Sequence, residues 1–253
     1  MKAVILAGGK GTRISEESVT KPKPLVDAGG HPLLWHIMQN YYLNGVSEFI
    51  ILAGYKGNQI REYFSNYWMI NSDITFDLSA PHQQVHKARG LPWKVTVLDT
   101  GLETMTGGRL SKAQKLIDDT FFMTYGDGVS DINVAELLAF HKSQNTLATL
   151  TAVQPPARFG ALDISDSRVK SFEEKPTGDG SWINGGYFVL EPSVFDYDLN
   201  DDTVFETDVL PKLASEGKLS AFRYEGFWQA VDTLRDLNRL EDRIRTSSLP
   251  WLQ

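Results

Sequence analysis

Ala3-Val4-Ile5-Leu6-Ala7-Gly8-Gly9-Lys10-Gly11-Thr12-Arg13, residues 3–13, reads as a buried strand that runs into a glycine-rich turn. Five apolar residues without alternation suit a strand covered on both faces. The glycines permit positive φ and let backbone N–H groups approach a ligand with no Cβ in the way. Successive N–H groups in such a turn form a cradle for phosphate oxygens. Thr12 can add a hydroxyl donor, and Arg13 a planar fork matched to phosphate. Two other phosphate motifs do not fit. G-x-G-x-x-G fails at Ile14, and the ending G-K-[ST] fails because Gly11 follows Lys10.

Outward from this turn, strand-like apolar runs recur at 49–53, 94–98, 121–124 and 148–153. Helical patterns lie between them at 33–43, 58–67, 110–117 and 134–143; in the last, Val134, Leu137, Leu138 and His141 fall at spacings of three and four. This alternation predicts an α/β fold: a Rossmann-like open, mixed, mostly parallel sheet with helices on both faces. After Val153, Pro155-Pro156 breaks the chain. Strand-like pieces at 161–164 and 169–173 then flank Ser165-Asp166-Ser167, a good hairpin turn. Gly178-Asp179-Gly180 marks another tight loop, 185–190 a further strand, and 204–215 and 233–245 amphipathic helices. The polar stretch 77–93 has no period and reads as a long loop, either functional or simply solvated. One domain, 1–253, is expected, with a second lobe built on its C-terminal side.

The bulk numbers agree with this. A chain of 253 residues, 42% hydrophobic and 23% charged, can bury a full core. A net charge of −7 argues against a nucleic-acid or anionic-membrane surface but not against a small phosphate ligand. With no cysteine, thiolate catalysis and disulfides are excluded. The apolar run at 3–7 is too short for a signal segment or a span, and the expected location is the cytoplasm.

Other residues invite a bland reading beside a chemical one. Around Lys23, Pro22 and Pro24 enforce an extended backbone, so Lys21 and Lys23 should project from a stiff strip. Asp127 follows a strand end, where carboxylates face the ligand crevice of open α/β sheets. Asp232 precedes an amphipathic helix, and its position alone favours an N-cap. Gly107-Gly108 resembles a helix-leading turn. Arg109, at a helix start, opposes the macrodipole and so mildly favours a ligand role. Lys175 and Glu173 read as ordinary charges at a strand end. His82 and His86 lack a carboxylate-rich surround, which argues against zinc; His36 and His141 read as packed, hydrogen-bonded histidines.

Several motifs, in order along nearly the whole chain, resemble the nucleotidyltransferases that activate sugar 1-phosphates. They are GGKGTR (8–13), KPKPL (21–25), GGHPLLWHIM (29–38), MTGGRL (105–110), TYGDGVSD (124–131), RFGALD (158–163), FEEKP (172–176), INGGYFVL (183–190) and FWQAVDTLRD (227–236). TYGDG, MTGGRL and FWQ favour the cytidylyl branch. The resemblance implies a GT-A-like fold with a nucleotide-binding half at 1–153 and a smaller sugar-binding, C-terminally helical part at 154–253. CTP and α-D-glucose 1-phosphate would be the partners, Mg²⁺ the cofactor and a homo-oligomer the assembly. The product would feed dideoxyhexose synthesis for a surface polysaccharide.

Residue by residue, the resemblance gives catalytic roles to Lys23, Arg13 and Asp127, and the metal to Asp127 and Asp232. Nucleotide contacts fall to Leu6, Ala7, Gly8, Gly9, Lys10, Gly11, Thr12, Arg13, Lys23, Thr104, Thr106, Arg109 and Gly126. Sugar-phosphate contacts fall to Arg158, Gly160, Glu173, Lys175, Asn184 and Gly185. Lys10 stands where the family is often apolar, and His31 where lysine is frequent; neither change touches Lys23, Arg13 or Asp127. A uridylyl- or thymidylyltransferase, or use of another sugar 1-phosphate, is the nearest alternative. A catalytically silent nucleotide-sugar sensor should have lost Lys23 or an aspartate, and all three are present.

Overall fold

Ala3, Ile5 and Ala7 face one side of the first strand and Val4 and Leu6 the other, and all five are buried. The first set packs with Leu33, Ile37 and Tyr41 from the following helix. The second packs with Leu110, Phe205 and Leu213. A strand covered on both faces needs two helical layers, and these two clusters are those layers. Each fully buried side chain of this kind contributes roughly 1.5–3 kcal/mol.

The computed structural model describes residues 1–9, 21–80, 82–155, 161–165, 168–173, 181–246 and 249–252, with only the backbone at 161–164, 172 and 173. The first half holds β1 (Lys2–Ala7), β2 (Asp27–Ala28), β3 (His31–Pro32), α1 (Leu33–Leu43), β4 (Glu48–Ala53) and α2 (Gly57–Ile70). Next come β5 (Asp73–Asp77), β6 (His82–Lys87), β7 (Lys94–Asp99), α3 (Thr106–Ser111), β8 (Phe121–Tyr125), β9 (Gly128–Ser130), α4 (Val134–Gln144) and β10 (Ala148–Val153). The remainder is β11 (Ala161–Ser165), β12 (Arg168–Glu173), β13 (Ile183–Leu190), α5 (Leu210–Ser215), β14 (Leu219–Tyr224), β15 (Trp228–Ala230) and α6 (Leu234–Thr246).

Seven strands form the central sheet in the order β14-β10-β13-β8-β1-β4-β7. Every neighbouring pair is parallel except those made by β13, which runs against β10 and β8. The expected mixed, mostly parallel α/β sheet is therefore what the chain forms. From β1 the chain adds β4 and β7 on one side, then returns to place β8 on the other. That reversal opens a crevice at the carboxyl ends of β1 and β8, the usual ligand position in open α/β sheets.

Four local expectations are corrected. The segment expected as a loop at 77–93 contains β6, which pairs with β5 in an antiparallel hairpin. Its residues are almost all exposed, so no apolar alternation marked it; Asp77 closes the turn by accepting from Ser79 N and Oγ. The helix expected at 110–117 begins instead at Thr106 and ends at Ser111. Gly107 and Gly108 lie inside it because a Cβ there would come within 2.9 Å of Thr203 and 2.6 Å of Asn200 and Asp201. The helix expected at 204–215 is split into a wide turn at Phe205–Val209 and α5. Pro211 has no N–H to continue an ordinary ladder. Finally, Lys21 is exposed but Lys23 is turned inward. Pro22 is extended as expected (φ −65°, ψ 144°), yet Lys23–Leu25 then closes a 3₁₀ turn.

Candidate active site

A cleft of about 580 Å³ opens at this crevice. Its lining includes Leu6, Ala7, Gly8 and Gly9 at the end of β1, Lys23 and Pro24, the strip 102–106 with Arg109, Tyr125 to Asp127 after β8, and Asp232. Of the residues singled out in the sequence, the structure thus brings together Leu6, Ala7, Gly8, Gly9, Lys23, Thr104, Thr106, Arg109, Gly126, Asp127 and Asp232. Lys10, Gly11, Thr12, Arg13, Arg158, Gly160 and Lys175 lie outside the described residues, as does the side chain of Glu173.

The two aspartates meet because of strand pairing. β9 and β15 are antiparallel with Gly128 opposite Ala230, and Val231 N donates to Asp127 O at 2.9 Å. Asp127, just before β9, therefore lies beside Asp232, just after β15, although 105 residues separate them. Lys23 Nζ sits between them, 2.7 Å from Asp127 Oδ2 and 2.7 Å from Asp232 Oδ1. The lysine is only 8% exposed. Burial pulls its pKa down, but the two carboxylates outweigh burial and hold the ammonium above its ordinary value. Lys23 is a fixed positive charge.

Asp232 does not cap α6. Thr233 and Asp236 do that work reciprocally: Thr233 N and Oγ1 donate to Asp236 Oδ2, and Asp236 N donates to Thr233 Oγ1 at 3.2 Å. The carboxylate of Asp232 accepts from Lys23, and the residue lines the cleft. With Asp127 it presents two hard oxygen donors that both touch one nitrogen, so they cannot be further apart than twice that contact distance. This donor set fits a magnesium ion, which takes one or two carboxylates and completes its shell with phosphate oxygens and water. Among the described residues no cluster of three or more His, Cys, Asp or Glu offers a metal cage.

Arg109 is placed differently from the expectation. It sits in the second half of α3, not at a helix start, so the macrodipole argument does not apply. Its buried guanidinium donates to Thr100 Oγ1 (2.5 Å), Gly101 O (2.7 Å) and Leu102 O (3.2 Å). Burial lowers its pKa, with Asp99 and Glu103 opposing. It lies against Gly8 and Gly54, where a Cβ would stand 2.2 and 2.4 Å from its Nη1. Arg109 thus ties the strand ends of the sheet to the strip at 100–104 that forms one cleft wall.

Gly126 closes the crevice floor: its N–H donates to Leu6 O at 2.9 Å, and a Cβ would press within 3.0 Å of Leu6 O and Pro24. Asn184 and Gly185 do not line this cleft but stand beside it on β13. Gly185 O accepts from Trp228 Nε1 at 2.6 Å, and Asn184 Oδ1 accepts from Gly186 N at 2.8 Å. Trp228, Tyr125 and Glu206 were not singled out from sequence. Tyr125 donates to one oxygen of Glu206 and Thr106 Oγ1 donates to the other at 2.6 Å. Tyr125 and Trp228 lie inside quoted motifs, whereas nothing local marked Glu206. His36 and His141 are buried and bonded, as expected: Ala28 O and Trp251 hold the first, Thr149 and Glu191 the second.

The family described as Nucleotidyl transferase matches residues 2–247. The sequence is 53% identical over 253 residues to the glucose-1-phosphate cytidylyltransferase of Salmonella typhi, covering 99% of this chain and 98% of that one. It is 47% identical over 255 residues to the probable glucose-1-phosphate cytidylyltransferase of Bacillus subtilis (strain 168), covering 99% of each. Its fold is similar to the crystal structure of HddC from Yersinia pseudotuberculosis, with a TM-score of 0.70 and 26% identity over 96% of this chain and 99% of that one.

Proposed function

Because the chain belongs to the nucleotidyl transferase family, we propose that it transfers the cytidylyl group of CTP to α-D-glucose 1-phosphate, giving CDP-glucose and pyrophosphate. The observation that carries the reaction type is the Lys23–Asp127–Asp232 constellation at the mouth of the crevice. The choice of substrates rests on the full-length likeness to the two cytidylyltransferases.

The chemistry asks for little covalent help. A phosphate oxygen of glucose 1-phosphate attacks the α-phosphorus of CTP, a new P–O bond forms, and the bond to the β-phosphate oxygen breaks in line. The nucleophile is already ionised, so no general base is needed and no proton changes hands. Charge and alignment are the difficulty, because both substrates are anions. In this reading Lys23 lies at the α-phosphate and leaving group, supplying a cation beside both carboxylates. Asp127 and Asp232 would hold Mg²⁺, which when bound neutralises charge on the α-phosphate.

Gly8 and Gly9, with Lys10, Gly11, Thr12 and Arg13, would receive the β- and γ-phosphates. The wall at Thr104, Thr106 and Arg109, with Gly126 as its floor, would take the cytidine. Asn184, Gly185, Glu173, Lys175, Arg158 and Gly160 would take the sugar phosphate. The proposal treats 1–253 as one catalytic unit with a nucleotide half and a sugar half, working in the cytoplasm, where CTP is made, as a homo-oligomer. No helix among the described residues is long and apolar enough to cross a membrane.

Separation of the reaction mixture by anion-exchange chromatography tests this. CTP, glucose 1-phosphate and Mg²⁺ should give CDP-glucose and pyrophosphate in equal amounts, with both lost on chelation. Pyrophosphate released without CDP-glucose would overturn it.

A further inference from the structure

Glu206 stands behind the cleft lining, where a local backbone feature brings it to Thr106 and Tyr125. The chain ahead of α5 widens into a π turn at Phe205–Val209, just before Pro211. Such turns re-aim side chains and recur at functional sites. One carboxylate oxygen of Glu206 accepts from the Tyr125 hydroxyl, the other from the Thr106 hydroxyl at 2.6 Å. Thr106 Oγ1 also accepts from Phe205 N at 2.8 Å, which fixes the threonine rotamer against the same turn. The partners come from segments 81 and 100 residues away, and both line the cleft.

Each partner carries a different part of the cleft. Thr106 opens α3, the helix that continues the strip at 100–104, and α3 is pressed onto Asn200–Thr203 through Gly107 and Gly108. The Tyr125 ring lies on Gly186, where a Cβ would stand 2.4 Å from it. Gly186 N in turn donates to Asn184 Oδ1 at 2.8 Å. The series Thr106–Glu206–Tyr125–Gly186 thus runs from the strip at 104–109 to β13. An ionised carboxylate is suited to the centre of this chain, since it can accept from two hydroxyls at once.

We infer that Glu206 is a positioning residue for the transfer: it sets Thr106 and Tyr125, and through them the nucleotide and sugar walls, at one fixed spacing. The inference rests on the reading above of 104–109 as the nucleotide side and 184–185 as the sugar side. It requires no contact between Glu206 and either substrate. A glutamine at 206 keeps the shape but offers one acceptor oxygen in place of two, so one hydroxyl loses its acceptor.

Steady-state kinetics with CTP and glucose 1-phosphate varied separately test it, with thermal melting alongside. For Glu206→Gln, kcat/KM should fall about ten- to a hundredfold for both substrates, the range of a lost hydrogen bond to a charged group. Thr106→Val should raise KM for CTP about tenfold and leave KM for glucose 1-phosphate within about twofold; Tyr125→Phe should do the reverse. Thr106→Ser, which keeps the hydroxyl, should restore the CTP constant. A Glu206→Gln protein that melts lower but keeps both kcat/KM values would show a purely structural role and overturn the inference. Should that variant not fold, the opposite splits of Thr106→Val and Tyr125→Phe decide, and equal effects on both substrates would also overturn it. A wild-type protein that makes no CDP-glucose would instead overturn the functional reading beneath it.

Discussion

Replacing Lys23 by methionine keeps most of the side-chain volume and removes one charge from the centre of the site. A unit charge about 4 Å from a phosphate oxygen is worth about 4 kcal/mol at an effective dielectric near 20. At 1.36 kcal/mol per tenfold, kcat should fall by about 10³. Folding should suffer less. Breaking a buried ion pair costs about 3–5 kcal/mol, but here the Asp127 and Asp232 side chains are 39% and 27% exposed. Water can take up part of the loss, so about 1–2 kcal/mol, or a melting shift of roughly 2–8 °C, is expected.

A third quantity should move the other way. The ammonium stands 2.7 Å from both carboxylates and repels a cation held between them. Its removal should tighten binding of Mn²⁺, read by electron paramagnetic resonance on the nucleotide-free protein, by about tenfold or more. Catalysis that collapses while cation affinity rises cannot come from unfolding. A kcat within tenfold of wild type, or a weaker Mn²⁺ affinity in Lys23→Met, would refute the reasoning.

Three other perturbations separate neighbouring roles. Asp232→Asn should abolish turnover with little change in melting, whereas Thr233→Ala, which removes the cap of α6, should cost about 1 kcal/mol of stability and leave kcat near wild type; the opposite pattern would make Asp232 a structural residue. Gly108→Ala drives a Cβ to 2.6 Å from Asn200 O and Asp201 Cα. It should therefore cost about 1–3 kcal/mol by denaturant unfolding and weaken CTP use, and a neutral effect on both would contradict the packing described. His36 accepts from Trp251 Nε1 and so holds its proton on Nε2 toward Ala28 O; burial keeps its pKa below 6.5. Its contribution to stability is complete above about pH 6.5 and is lost as pH falls toward the lowered folded value. His36→Asn should thus be less stable at pH 7.5 but lose less between pH 7 and 5.5, and parallel melting curves for the two proteins would refute the assignment.

Most of the central sheet was legible because β1, β4, β8 and β10 are covered on both faces and so are largely apolar, whereas its edge strand β14, half-exposed with Ser220 and Arg223 among its residues, was not expected. The exposed hairpin of β5 and β6 gave no such signal, since Phe76 and Val85 point largely to water. β9 and β15 are three residues each and exist through their mutual pairing. That pairing is also what separates the roles of Asp232 and Thr233, which local spacing could not do. Lys23 was recognised as chemically important, but its inward turn depends on a 3₁₀ turn and on two carboxylates 104 and 209 residues away. Arg109 shows the same limit: its three acceptors, at 100–102, are near in sequence, yet its burial against Gly8 and Gly54 belongs to the assembled sheet. Glu206 is the extreme case, a carboxylate whose position is set by a wide turn and whose partners lie on other elements.

The claim that this cleft moves a cytidylyl group onto a sugar phosphate is tested most directly by nucleotide discrimination. Initial rates of pyrophosphate release with glucose 1-phosphate and Mg²⁺, measured in turn with CTP, UTP, dTTP and ATP, give the four kcat/KM values. CTP should exceed each of the others by at least about tenfold, as one base-edge contact satisfied or left unpaired would dictate. A larger kcat/KM for UTP or dTTP than for CTP would contradict the account.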